Sequence, residues 1–328
     1  MSNEPGGPTA AAPDQSEALA PRVDDHPNTG RAAPAPGATA LALLAAGWLA
    51  AMLWSTREAI SSATAGVTAV SLSAFALPGV ISAALVAGAA VGLAAGEPVA
   101  RRTERVTLRF AAAVGAGLLV GLLAALAIDL SYAGDVTTRT IAGTTAAAAV
   151  IGGALAGARN GAVVGAVTTA ALGALLFVVA FSLARDPLFN LFGAGDTQQS
   201  LINAASWVSR TESLLAGLIA GGLAFGYLSW ARRRAVSDGG EAALRWPAYL
   251  VAGAGPGLLL LLTEVIIRIG GRSLIDLAAA LSEADAVAQT SLGTSRVDNA
   301  IWVLFVGALT AVISFGRTLG SPADDPQQ

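Results

Sequence analysis

Eight stretches of this sequence run for 18 residues or more without a charged side chain, and they restrict the fold more than any other feature. Twenty-five neutral residues separate Arg31 from Arg57, and 38 separate Glu58 from Glu97. Nineteen lie between Arg109 and Asp129, 19 between Arg139 and Arg159, 25 between Arg159 and Arg185, and 19 between Glu212 and Arg232. The last two windows hold 18 residues each, between Arg245 and Glu264 and between Asp298 and Arg317. A helix needs about 20 apolar residues to cross the ~30 Å hydrocarbon core of a bilayer. In lipid only a helix or a closed barrel satisfies its own backbone, and these runs lack the period-two alternation of barrel strands. The windows therefore predict an all-α, polytopic integral membrane protein with about eight transmembrane helices. Their cores are expected at 38–54, 75–96, 110–130, 140–158, 161–184, 213–231, 246–267 and 299–316. The second window exceeds one span, so residues 55–74, with "SSATAGVTAV", form either a loop or a half-inserted segment.

Composition agrees with lipid as the solvent. Hydrophobic residues make up 54% and charged residues 12%, against roughly 25% charged in a soluble domain. There is no cysteine, which excludes disulfides and thiolate metal sites. The one histidine, His26, lies in the N-terminal stretch, so the membrane part has neither an imidazole base nor a histidine metal ligand. "GLIAGG" and "GAGLLVG" sit inside expected spans and follow no strand, so they are not phosphate cradles. No metal, cofactor or nucleic-acid partner is expected. Residues 1–37 hold seven of the 14 prolines and are expected to be a disordered cytoplasmic tail, with 319–328 a second one. All 19 basic residues are arginine, a composition suited to a bacterial plasma-membrane protein.

Arginine placement gives an orientation, because basic residues resist export. With the N-terminus inside, twelve arginines are cytoplasmic, including the clusters "RRTER" and "ARRR", and seven are outside. An N-in, C-in arrangement is expected. Within it, one helix from Ile141 to Phe181 would be about 60 Å long and would carry Arg159 through the bilayer centre. A turn at Arg159-Asn160 avoids that. Gly153 and Gly157 are then expected to face Gly161 and Gly165 across a tight helical hairpin.

A faint repeat suggests more hairpins. Ser209-Arg210 and Ser295-Arg296 lie 86 residues apart, each followed by an acid two positions on, with Gly221 and Gly307 also in register. Segments 109–159, 161–234 and 245–317 are expected to be related hairpins within a transmembrane domain spanning 38–318. Ser209 and Ser295 fit helix N-caps, with Glu212 and Asp298 at the third helical position. "SLIDLAAALSEADAVAQ" places Leu274, Leu277, Leu281 and Ala284 at helical spacing, which predicts an amphipathic helix on the outer membrane face or packed on its own hairpin. "PLFNLF", with Phe189 and Phe192, is expected to dock likewise.

Two features point to a polar site towards the outer face. Gly253, Gly255, Pro256 and Gly257 cluster within the seventh span, where a broken helix would free carbonyls for an ion or polar ligand; Leu77-Pro78-Gly79 marks a similar break in the second. Glu264 lies two turns beyond Pro256, with Arg268 four residues on. Asp129, Arg210, Glu212, Arg272, Arg296 and Asp298 complete an outward polar rim. The expectation is a transporter- or permease-like protein in which Glu264, Arg268, Gly255, Pro256, Gly257, Asp129, Arg210, Glu212, Arg296 and Asp298 bind substrate or ion. The alternative is a non-catalytic scaffold or accessory subunit of an envelope complex. An enzyme on a lipid-linked substrate ranks behind both, since its acid–base choices shrink to Asp, Glu, Tyr and Arg. The lipid bilayer is the expected partner under any of these readings, with other membrane proteins or further copies of the chain beside it.

Overall fold

Backbone self-satisfaction in lipid leaves little choice but helix for such apolar runs, and helix is what they form. The computed structural model describes residues 35–62, 66–102, 105–131, 136–157, 160–195, 197–237 and 244–319. In chain order the helices are α1 (Ala38–Ser61), α2 (Gly66–Arg102), α3 (Val106–Ser131), α4 (Val136–Ala156), α5 (Gly161–Leu183), α6 (Arg185–Leu191), α7 (Gln198–Ser237), α8 (Trp246–Gly270), α9 (Arg272–Leu281) and α10 (Glu283–Gly316). Among the described residues there is no strand. All but α6 and α9 are long and apolar enough to cross a membrane, which makes eight candidate spans. Six of them contain an expected core whole, while α4 ends at Ala156 and α5 at Leu183, short of the expected 158 and 184.

The boundaries differ from expectation in three further places, each for a physical reason. Residues 55–74 contain neither a long loop nor a half-inserted segment in their described part. α1 runs on to Ser61 and α2 begins at Gly66, so its 37 residues include a turn or more before the apolar core. Residues 35–37 are ordered, unlike the expected tail. Ala35 is buried, the Tyr227 hydroxyl donates to the Pro36 carbonyl at 2.9 Å, and Gly37 adopts φ 74°, a left-handed conformation that turns the chain into α1. The remainder of the expected tails, residues 1–34 and 320–328, and Arg159 lie outside the described residues. Finally, Ser209 and Ser295 are not N-caps. α7 and α10 begin at Gln198 and Glu283, placing both serines, Glu212 and Asp298 inside long helices. Ser282 caps α10 instead, its Oγ accepting from the Asp285 N–H at 3.2 Å.

α7 and α10, with 40 and 34 residues, measure about 60 Å and about 51 Å at 1.5 Å per residue. Both exceed the ~30 Å hydrocarbon thickness, so their N-terminal turns extend past the apolar core. The start of α2 joins them, because the Ser71 hydroxyl bonds the Asp285 carboxylate of α10. α9 packs here against α2, α4, α8 and α10. Its Leu274 and Ala278 are buried in the protein core, while Leu277 and Leu281 stay exposed. The amphipathic stripe is thus split, half of it serving the bundle. In the α6 region Phe192 stacks on Trp207 with ring centroids 6.5 Å apart.

The spans fall into two sets. α1–α4 pack mainly on one another, as do α5, α7, α8 and α10, with α2 and α8 as the principal bridge between the sets. α2 is the most central helix: 72% of its span window is buried, against 22% for α1. Small residues allow the close approach. A Cβ on Gly117 would stand 2.6 Å from the Ala149 carbonyl and 3.0 Å from the Gly153 Cα. The glycine ladder does not close a hairpin on itself, however. Gly153 meets α3, Gly157 meets Phe110 of α3, and Gly165 meets the Tyr227 ring of α7. α4 packs on α2 and α3, whereas α5 packs on α7 and α8. Each arm packs mainly on other helices, its glycines admitting a backbone or an aromatic ring there.

Candidate functional site

Where α2 of the first set faces α5, α7, α8 and α10 of the second, the helices leave a cavity of about 260 Å³. Its walls are mainly aliphatic, from Val86, Ala174, Leu175, Leu259, Leu260 and Ile267. Polar groups gather on α7, α8 and α10: Glu212, Ser213, Thr263, Glu264, Arg296 and Asn299. Both prolines singled out from the sequence line it as well, Pro78 from α2 and Pro256 from α8.

The prolines do not break their helices. α2 and α8 each continue through them, correcting the expectation of an unwound segment in the seventh span. Lacking an N–H, Pro256 cannot bond the Ala252 carbonyl one turn back, yet the surrounding close packing holds the helix. The flanking glycines make that packing. A Cβ on Gly255 would press on Val167 of α5, one on Gly257 would lie 2.5 Å from the Leu304 backbone nitrogen, and one on Gly253 would clash with the Gly307 carbonyl of α10. Gly255 and Gly257 thus contact neighbouring helices, and only Pro256 of the three lines the cavity.

Glu264 is the organising charge. It is buried, with its side chain 8% exposed, and both carboxylate oxygens are engaged. Oε1 accepts from Arg268 Nε at 3.0 Å and Oε2 from Arg296 Nε at 2.9 Å. The first link runs along α8; the second clamps α8 to α10. Arg268 is 64% exposed and lies outside the cavity lining, while Arg296 is 27% exposed and forms part of it. Such charge-assisted bonds are short and strong where water is scarce.

Across the cavity, α7 contributes Glu212 and Ser213. The Ser209 and Ser213 hydroxyls bond Asn299 Oδ1 at 3.1 and 2.8 Å. Ser213 and Asn299 are 86 positions apart, and Gly221 packs on Gly307 at the same offset, so the residues compared in sequence face each other on adjacent helices. Glu212 makes no hydrogen bond or ion pair with any described residue; Arg185 acts on it through space only.

No protein-family model, curated protein or solved structure matches this chain. The site therefore stands on its own geometry.

Of the ten residues singled out beforehand, the cavity gathers Glu212, Pro256, Glu264 and Arg296, with Arg268 behind Glu264. Asp129 is exposed on α3 and absent from the lining, as is Asp298 on α10. Arg210 is exposed too, its guanidinium 5.6 Å from the centroid of the Trp207 ring. Sequence reasoning missed Ser82, Ser213, Thr263 and Asn299. Single polar residues within apolar runs were the available signal. Among the described residues no group of three His, Cys, Asp or Glu side chains could hold a metal ion.

Proposed function

We propose that this chain is a carrier in a bacterial plasma membrane, transporter- or permease-like, with the α2/α5/α7/α8/α10 cavity as its substrate site. One observation carries the reading: a mostly apolar cavity between two sets of spans, edged by a buried carboxylate held by arginine. Ionisable residues within membrane spans are costly and concentrate at substrate and ion pathways. Carriers commonly bind substrate at the interface of two helical sets, and ligand pockets pair apolar walls with few polar groups.

The absence of cysteine allows a clean test. Ala174 lines the cavity, so Ala174→Cys followed by a small methanethiosulfonate reagent obstructs it in protein that has already folded. Proteoliposomes filled with a small-molecule extract of the host are expected to lose particular solutes through the unmodified variant and to retain them after modification, as read by mass spectrometry. Should no solute leave faster than from protein-free liposomes, the carrier reading is wrong. A scaffold would instead be recognised by stoichiometric partners in mild detergent.

The carrier is oriented N-in, C-in in this proposal, on the strength of the arginine clusters at the C-terminal ends of α2 and α7. Gln199→Cys and Ser237→Cys place thiols at opposite, exposed ends of α7. A membrane-impermeant maleimide added to intact cells is expected to label the first and spare the second. The reverse pattern would invert the orientation.

A further inference from the structure

One of the two carboxylates at the cavity has no bonded partner, and its position indicates what binds there. The lining residues include two carboxylates, Glu212 and Glu264, and one guanidinium, Arg296. Glu264 is fully occupied, one oxygen by each arginine, and Arg296 commits its Nε to that pair. Glu212 is left as an acid facing apolar walls with no ion pair or hydrogen bond among the described residues. Arg185, the opposite charge acting on it, is exposed in α6 and outside the cavity lining. Glu212 is half-buried, and a carboxylate without a bonded partner beside a low-dielectric space is unfavourable, so the cavity favours an occupant that brings positive charge.

An inorganic cation fits the space poorly. Hard cations need several oxygen ligands, and the nearby Ser213 and Asn299 oxygens are bonded to each other. An anionic amphiphile fits worse, because it would meet Glu212 while competing with Glu264 for Arg296. The aliphatic walls instead suit a hydrocarbon body. A volume of about 260 Å³ lies just under the ~300 Å³ lower end for drug-sized ligands, enough for one ring with a short chain.

We infer that the cavity takes a small hydrophobic amine in its protonated form, with Glu212 as counter-ion and the α5/α8 aliphatic wall around its apolar body. The inference rests on the cavity being the ligand site of a carrier and adds the class of substrate.

Three probes with one skeleton separate charge from hydrophobicity: phenylbutylamine, phenylbutanol and phenylbutyrate. Titrated calorimetrically into the full-length protein in detergent, against micelle blanks, the amine is expected to bind about tenfold more tightly than the alcohol, the scale of one charge-assisted hydrogen bond. The butyrate should bind no better than the alcohol. Glu212→Gln is expected to bring the amine down to the alcohol's affinity, with monodisperse elution in detergent showing that the variant is folded. Glu212→Asp keeps the charge and should keep a preference for the amine. Butyrate binding at least as tightly as the amine overturns the inference, and so does an amine preference that survives Glu212→Gln. If none of the three binds while modification of Ala174→Cys still blocks solute loss, the amine assignment fails and the carrier stands. If the amine binds as described but no solute crosses, the carrier reading alone falls.

Discussion

Gly307→Leu is expected to abolish the folded bundle, and Gly307→Ala to weaken it by about 1–3 kcal/mol, the cost of forcing volume into a close-packed core. Gly307 lies where three helices meet. The Gly253 backbone of α8 is against it on one side, and a Cβ on Gly221 of α7 would stand 2.5 Å from its carbonyl on the other. These neighbours are backbone atoms or short side chains, so none can swing aside as a long flexible side chain would. The remaining response is for α8 or α7 to move away, which loses dispersion contacts along the helices and unsettles Val303, one turn away, in the cavity wall. Gly222 and Gly226, one and five residues past Gly221 on α7, provide the contrast, since nothing lies within 4 Å of a Cβ there. Gly222→Leu and Gly226→Leu should be tolerated. The measurement is the fraction of monodisperse protein after graded heating in detergent, or its resistance to a denaturing detergent. Equal behaviour of Gly307→Leu and Gly222→Leu would refute this packing account.

Why the eight spans could be read from sequence, and the helix partners could not, has a physical answer. Span formation depends on local composition: a run without charges long enough to cross lipid forms helix whatever surrounds it. Partner choice depends on which small-residue faces meet, and this chain has 38 glycines distributed over many faces. Gly153 and Gly165 therefore suggested a mutual hairpin, whereas each found a separate partner in α3 or α7. Capping failed for a related reason. Ser209 with Glu212 fits a helix start locally, but α7 already begins at Gln198 because the preceding turns pack as helix. The site was half legible. Glu264 stood out as a carboxylate at the edge of a neutral run, and Pro78 and Pro256 as residues awkward for a helix. Their convergence on one cavity is a tertiary fact. Asp129 and Asp298 show the converse, since charges near span ends mostly remain in the exposed rim.

Arg296→Leu is expected to destabilise the protein by about 3 kcal/mol, the lower end of the range for breaking a buried ion pair from one side. The lower end applies because Arg296 keeps 27% of its side-chain exposure. The variant leaves Glu264 Oε2 without a donor while the side chain stays 8% exposed, and Arg268 on the far oxygen cannot serve both. Arg268→Leu should cost under about 1 kcal/mol, as for an exposed pair, because its guanidinium is 64% exposed and Glu264 retains Arg296. Removing both partners should cost far less. Glu264→Leu with Arg296→Leu deletes the uncompensated charge together with its cause, and apolar replacement of a buried pair is often neutral or better. The double variant should recover most of the loss, giving a positive coupling in a double-mutant cycle followed by denaturing-detergent unfolding. If the double variant is as unstable as Arg296→Leu, the pair acts in stability by some route other than mutual neutralisation. Recovery would carry a consequence for function. A clamp that leucines can replace without loss of stability is not there to hold α8 to α10, and a folded double variant that no longer moves solute would assign the Glu264–Arg296 pair to the transport cycle itself.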